Sequence, residues 1–195
     1  MATLSRLIEV VAAVEGLNPE RVAAIARAIR EAGLIATHGR GTSAAHMGVA
    51  DAANLLIAVN VSETARSAPE IVRRYRALRT NNRKQLEFGR TFEEIIAAAE
   101  TRRLADHLLD LGLGPSGALQ EKLRHTEVEF DLRIEFVAIR PLVIIEARIP
   151  DSAMPKPLPF YPKNSIARVE ADRRTAISYR TIQAVAKSLG MSPAL

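Results

Sequence analysis

The hydrophobic pattern of this chain changes its period near residue 126. Before that point, apolar residues recur at helical spacing. Beyond it they alternate with charged residues, as Val128, Phe130, Leu132, Ile134 and Phe136 do. A period of 3.6 residues indicates helices, and a period of 2 indicates a strand with one buried face. Because helices come first and strands later, with no alternation of the two, the sequence predicts an α+β fold.

The first 59 residues carry sharp helix boundaries. A helix is predicted over residues 3–15, and Gly16 and Leu17 break it. Asn18 is the expected N-cap and Pro19 the first residue of a second helix, which Gly33 ends. Four residues should face the core from that helix: Val22, Ile25, Ala26 and Ile29. A short strand-like piece at residues 34–35, a polar glycine-containing stretch and a third helix over 49–59 follow.

The rest of the chain divides into a helical middle and a mixed C-terminal part. Ser67 and Glu70 form the pattern of a capping box for a fourth helix, and a further helix is expected from Thr91 to about residue 111. Strands are predicted over 128–136 and 142–148, with a proline-rich arm at 150–163. A further hairpin of residues 166–170 with 175–179 and a closing helix at 181–189 complete the chain. The predicted domains are a DNA-binding domain at 1–65, a helical linker or assembly region at 66–115, and an oligomerisation or partner domain at 116–195.

Composition excludes several classes of chemistry. The chain has no cysteine, and its four histidines show no metal-ligand spacing, so we expect neither a metal nor another cofactor. The acidic residues Glu129, Asp131 and Glu135 are interpreted as the solvent-facing side of a strand rather than as catalytic carboxylates. No apolar run reaches the length of a membrane span and no cleavable signal opens the sequence, which predicts a cytoplasmic protein. Because no pattern of residues indicates a catalytic site, we expect that the protein is not an enzyme.

The net positive charge of the chain lies in its first half. The net charge is +5, and residues 1–90 carry all of this excess, mostly as arginine. Arginine binds phosphates and base edges through two parallel hydrogen bonds, which lysine cannot form. A basic half that is rich in arginine therefore favours a nucleic-acid partner.

Part of this region is similar to a known DNA-binding family. The stretch Ile29-Arg30-Glu31-Ala32-Gly33-Leu34-Ile35, followed by Gly39-Arg40-Gly41 and by Asp51 near the start of a leucine-rich helix, resembles the N-terminal domain of MerR-like proteins. The resemblance covers residues 4–59 and implies a winged helix-turn-helix. The second helix is about one turn longer than in that family, and the long dimerisation helix is absent. Similar modules are typical of phage or prophage proteins.

The predicted DNA contacts fall into three groups. Arg21 and Arg27 lie on the solvent side of the second helix and are candidates for base contacts. The wing residues His38, Arg40, Thr42 and Ser43 are expected at phosphates or in the minor groove. Arg73, Arg74 and Arg76 begin a run of six cations without an acid, which could follow the phosphate backbone. The alternatives are that Arg27 pairs with Glu31, and that the run is a solvated helix face in which Tyr75 packs inward.

These features predict a sequence-specific protein for double-stranded DNA, acting as a homodimeric transcriptional regulator. A subunit similar to small terminases, which package viral DNA as rings, is the main alternative because the order of elements fits it. A sugar-phosphate site in residues 39–43, where hydroxyls and glycines precede a helix, is a third interpretation. A structural or adaptor role without DNA is a fourth.

Overall fold

Helices and a small antiparallel sheet make up the protein. The computed structural model describes residues 2–37, 46–78, 93, 96, 131–138, 141–148, 158–160 and 174–191. In these residues the helices are α1 (Leu4–Glu15), α2 (Pro19–Glu31), α3 (Val49–Val61), α4 (Ala68–Arg76) and α5 (Tyr179–Ser188), and the strands are β1 (Asp131–Val137), β2 (Leu142–Arg148), β3 (Leu158–Phe160) and β4 (Arg174–Ser178). The strands form one antiparallel sheet in the order β3-β2-β1-β4. The predicted α+β class, C-terminal antiparallel sheet and closing helix are confirmed.

Helix α3 is the central element of the core. Every residue from position 52 to position 61 is buried, as expected for a helix that is apolar on all sides and packed all round. Helices α2 and α4 and strands β1 and β4 contact it. The carbonyls at its C-terminal end accept hydrogen bonds from two distant elements. The Arg21 guanidinium of α2 donates to the Val59 and Ser62 carbonyls, and the Thr175 hydroxyl of β4 donates to the Asn60 carbonyl at 2.8 Å. The two halves of the sequence therefore meet at the C-terminal end of α3.

One face of the sheet completes the same core. Ile134, Phe136 and other apolar residues of β1, β2 and β4 belong to one hydrophobic cluster with the helices. The buried Tyr75 ring packs on Phe136 at a centroid distance of 6.1 Å, and its hydroxyl donates to the Val137 carbonyl. Tyr75 is thus a packing residue, as predicted. Helix α1 packs against α5, so both ends of the described chain contribute to one core.

The opposite face of the sheet carries a buried carboxylate. Glu135 is only 7% exposed, so the expectation of a solvent-facing Glu135 was wrong. Arg133 approaches its Oε1 at 3.0 Å, and Arg174 of the neighbouring strand approaches its Oε2 at 3.2 Å. Burial of a carboxylate is tolerated when its charge is paired in this way. The alternation of apolar and charged residues along β1 could not reveal Arg174 as a partner, because Arg174 belongs to β4. Glu129 lies outside the described residues.

Two local expectations also differ from the structure. Leu34 and Ile35 form no strand, because the left-handed Gly33 (φ 72°) turns the chain and the Leu34 amide bonds back to the Ile29 carbonyl at 2.9 Å. At the start of α4 the predicted capping box is absent. The Ser67 hydroxyl bonds to the Thr64 carbonyl at 3.0 Å instead of capping the helix.

Several predicted elements cannot be compared. Residues 150–157 of the proline-rich arm and the hairpin partner at 166–170 lie outside the described residues, and of the helix expected after Thr91 only Glu93 and Ile96 are described, both helical.

Candidate nucleic-acid interface

Helices α1 and α2 are joined by a tight turn at residues 16–18. Gly16 adopts a left-handed conformation (φ 63°), and the Leu17 amide donates to the Ala12 carbonyl at 2.9 Å. The Asn18 side chain then accepts from the backbone amides of Glu20 and Arg21 at 2.7 and 3.2 Å, with Pro19 opening α2. The expected turn and N-cap are confirmed. A tight glycine-containing turn of this kind fixes the second helix against the first.

The outer face of α2 is small and cationic. The four residues predicted to face the core (Val22, Ile25, Ala26 and Ile29) are all buried. Ala23, Ala24, Arg27 and Arg30 are exposed on the remaining surface. Small alanines beside arginines let the helix backbone approach a surface closely while the longer side chains reach past it.

Arg27 and Arg30 have no ion pair or hydrogen bond in the part of the chain that the structure describes. The alternative pairing of Arg27 with Glu31 is therefore not formed, although the spacing permits it. Positions 27 and 30 are neighbours on the helix surface. Two guanidinium groups thus face solvent side by side with all their donors available.

Helix α4 contributes Arg73, which lies beside the end of α2, and a second exposed arginine, Arg74. The two helices are in contact, and the Arg73 guanidinium lies 3.4 Å from the Ala32 carbonyl that follows α2. Arg74 is exposed and, like Arg27, has no partner among the residues whose placement is described. We call Arg27, Arg30, Arg73 and Arg74 the arginine surface.

Two of the predicted DNA-contact residues form hydrogen bonds within the protein. The Arg21 Nη2 donates to the Val59 carbonyl at 3.2 Å and to the Ser62 carbonyl at 2.9 Å, so it caps α3. Arg76 donates to the Asn54 Oδ1 at 3.2 Å and forms an ion pair with Glu93. Arg21 and Arg76 thus use guanidinium N–H groups for contacts within the protein, whereas the N–H groups of Arg27 and Arg74 remain available.

The predicted wing residues His38, Arg40, Thr42 and Ser43 lie outside the described residues, and the structure neither supports nor opposes their role. The residues on either side of them are described. Ala36 and Gly48 both donate their backbone amides to the carboxylate of Asp51, at 2.9 and 2.8 Å.

Arg30 and Asp51 were not recognised from the sequence as site residues. The signal for Arg30 was its spacing of three from Arg27 on a helix whose buried positions were already assigned. For Asp51 there was only the generic preference for acids in a first helical turn, which does not reveal contacts with Ala36.

Other kinds of site find no support in the described ranges. No group of three or more histidine or acidic side chains there could hold a metal ion. None of the helices described is both long and apolar enough to cross a membrane.

No protein-family model, curated protein or solved structure matches the chain.

Proposed function

We propose that the protein binds double-stranded DNA through the outer face of α2 and the arginine surface, and acts as a homodimeric transcriptional regulator. The observation that carries this proposal is a set of arginines that have no partner among the described residues. Arg27 and Arg30 lie beside exposed alanines on α2, and Arg74 lies on α4, which contacts α2. We interpret α1, the tight turn and α2 as a helix-turn-helix. The second helix of such a unit is the one that enters the major groove. Phosphate oxygens are the natural partners for guanidinium groups that the protein leaves unpaired.

The finer fold in this proposal is a winged helix-turn-helix of the MerR-like kind. Helices α1, α2 and α3 have the required order, and the proposed wing falls within residues 37–47 of the sequence between α2 and α3. The Ala36 and Gly48 amides both donate to the Asp51 carboxylate, so these two residues lie close together. This supports the arrangement, because a wing must leave the helices and return to them at nearby points.

The three aromatic side chains whose exposure the structure describes offer no stacking platform for single-stranded nucleic acid. Proteins that bind single strands stack bases on exposed aromatic rings. Tyr75 and Phe136 are buried in the core, and Tyr179 is half-buried at the start of α5. Of these three aromatic side chains, none is fully exposed.

The decisive experiment is duplex binding measured by fluorescence anisotropy over a range of salt concentrations. Each phosphate contact contributes about 0.9 to the slope of log affinity against log salt. Arg27→Ala, Arg30→Ala and Arg74→Ala should each lower both the affinity and this slope. Arg180→Ala is the matched control, since it removes an exposed arginine from α5, which packs on α1. If wild type does not bind at low salt, or if Arg180→Ala has the same effect as the other three, the proposal is wrong.

A DNA-packaging subunit remains the second candidate, because the described elements run from helices to an antiparallel sheet and a closing helix. Light scattering separates the two candidates: a dimer supports the regulator, and a ring of eight or more chains supports packaging. The sugar-phosphate interpretation of residues 39–43 loses part of its basis, since the preceding residues 34–35 form no strand.

A further inference from the structure

An acidic side chain lies on the outer face of α2, in line with Arg27. Glu20 is exposed, and its carboxylate has no hydrogen bond or ion pair in the part of the chain that the structure describes. Glu20 and Arg27 are seven residues apart, so two turns of helix bring them to the same side, with the exposed Ala24 between them. This face therefore presents a carboxylate and a guanidinium about 10 Å apart along the helix axis.

The usual hydrogen-bonding role of an acid in the first turn of a helix does not account for Glu20. Such acids accept from backbone amides that the first turn leaves free. In α2 the Asn18 Oδ1 already accepts from the amides of Glu20 and Arg21, at 2.7 and 3.2 Å. Phosphate binding does not account for Glu20 either, because a carboxylate and a phosphate repel each other. The chemistry that suits Glu20 on this face is a partner that donates hydrogen bonds.

Base edges in the major groove of DNA offer such donors. Cytosine presents its N4 amino group there, which a carboxylate can accept from, and guanine presents two acceptors, which suit arginine. The separation of Glu20 and Arg27, about 10 Å, fits within the major groove, which is about 12 Å wide. Ala24 adds only a methyl group between them, so the helix can approach the bases closely. Base contacts are also typical of the N-terminal part of the second helix, where Glu20 lies.

We propose that Glu20 determines the base specificity of α2 by accepting a hydrogen bond from the N4 amino group of a cytosine, while Arg27 donates to the O6 and N7 atoms of a guanine. The inference rests on the proposed function, because it assigns base contacts to the helix that enters the major groove. The carboxylate also disfavours guanine and thymine at its position, since both present acceptor oxygens that repel it. Because each base pair rises about 3.4 Å, the cytosine and the guanine should lie within about three base pairs of each other.

Selection of bound duplexes from a pool of random sequence tests this proposal. Wild type should enrich sites in which the cytosine and the guanine are each preferred about tenfold over other bases. In Glu20→Gln the preferred cytosine should change to adenine, because a glutamine amide pairs with the N6 and N7 atoms of adenine. In Glu20→Ala that position should lose its preference while the guanine is kept. Arg27→Ala should show the reverse, losing the guanine and keeping the cytosine.

Glu70→Gln is the matched control. Glu70 is an exposed first-turn acid of α4 that follows Pro69, as Glu20 follows Pro19 in α2, and it has no partner among the described residues. Glu70→Gln and Glu20→Gln each remove one negative charge and one interaction with a helix dipole, so both should raise the affinity for unselected duplexes to a similar degree. Only Glu20→Gln should change the selected sequence.

Glu31→Gln is a second control, from α2 itself. Glu31 is exposed and lies eleven residues after Glu20, about 16 Å along the axis, which exceeds the width of the major groove. Its substitution should leave the selected sequence unchanged. Circular dichroism confirms that each variant is folded, and Glu20→Asp, which keeps a carboxylate, should keep the preference for cytosine.

The outcomes separate this inference from the proposed function. If wild type selects a sequence and Glu20→Gln selects the same one, the role of Glu20 is overturned and DNA binding stands. An equal change of sequence in Glu70→Gln also overturns it, because the effect then comes from charge or the helix dipole alone. If wild type binds duplexes but enriches no sequence, the role of Glu20 and the sequence specificity both fail. If wild type binds no duplex at low salt, the proposed function fails, and the role of Glu20 fails with it.

Discussion

Replacing Arg21 by alanine should remove the cap of α3 and destabilise the fold. The Arg21 guanidinium donates to the Val59 and Ser62 carbonyls, at 3.2 and 2.9 Å, where the helix has no partners of its own for its last carbonyls. Ser62 is fully buried, so its carbonyl is poorly placed to find water when the arginine is lost. A hydrogen bond to a charged group contributes about 1.5–3 kcal/mol, and a cation at a helix C-terminus adds about 0.3–1 kcal/mol. Since the site is half-buried and one bond is long, we expect Arg21→Ala to lower the free energy of unfolding by about 2–3 kcal/mol.

Urea unfolding followed by circular dichroism measures this loss. Arg27→Ala is the control from the same helix, and because Arg27 is exposed and unpaired we expect a change within about 0.5 kcal/mol. Arg21→Lys keeps the charge, but its ammonium lies one bond closer to the backbone than the Nη2 that forms both hydrogen bonds, so it should lose about half as much as Arg21→Ala. The assigned cap is refuted if Arg21→Ala unfolds within about 0.5 kcal/mol of wild type, or if Arg27→Ala is equally destabilised.

Three further substitutions test the packing and the turns by the same urea assay. Ser62→Ala should leave the free energy of unfolding unchanged or raise it by up to about 1 kcal/mol, since its buried hydroxyl has no hydrogen-bond partner among the described residues. A variant destabilised by more than about 1 kcal/mol contradicts that assignment. Gly16→Ala should cost about 1–2 kcal/mol because φ is 63°, although the added carbon meets no atom within 4 Å; an unchanged midpoint would show that the left-handed turn is not required. Tyr75→Phe should cost about 1 kcal/mol through the lost bond to the Val137 carbonyl, and an unchanged stability would argue against that bond.

Capping residues and glycines, which act on residues close to them in sequence, predicted most of the helix ends correctly. Asn18 before Pro19, and the glycines at 16 and 33, determine the ends of α1 and α2 within one turn of helix, and the structure has each as expected. The buried face of α2 followed from spacing alone. Capping at Ser67 was predicted by the same kind of signal and was wrong, because Thr64, three residues earlier, offers a competing partner.

Contacts between distant elements could not be predicted in this way. Arg21 reaches carbonyls about 40 positions further along the chain, and Glu135 is paired by an arginine from a strand 39 residues away. A sequence pattern describes which side of an element is apolar, but it does not say which elements become neighbours. The predictions that Arg21 contacts DNA and that Glu135 faces solvent depended on that missing information.

The arginines of residues 1–90 all carry the same charge, but they differ in whether their guanidinium groups are hydrogen-bonded within the protein. An exposed guanidinium such as that of Arg27 keeps all its donors in water and can exchange them for phosphate oxygens at little cost. Arg21 would first have to leave the α3 carbonyls, with a loss of about 1.5–3 kcal/mol for a charge-assisted bond. The same holds for Arg76, which would give up Asn54 and Glu93. If the protein binds DNA, the affinity should therefore come from Arg27, Arg30 and Arg74, while Arg21→Ala should change stability far more than the salt slope of binding.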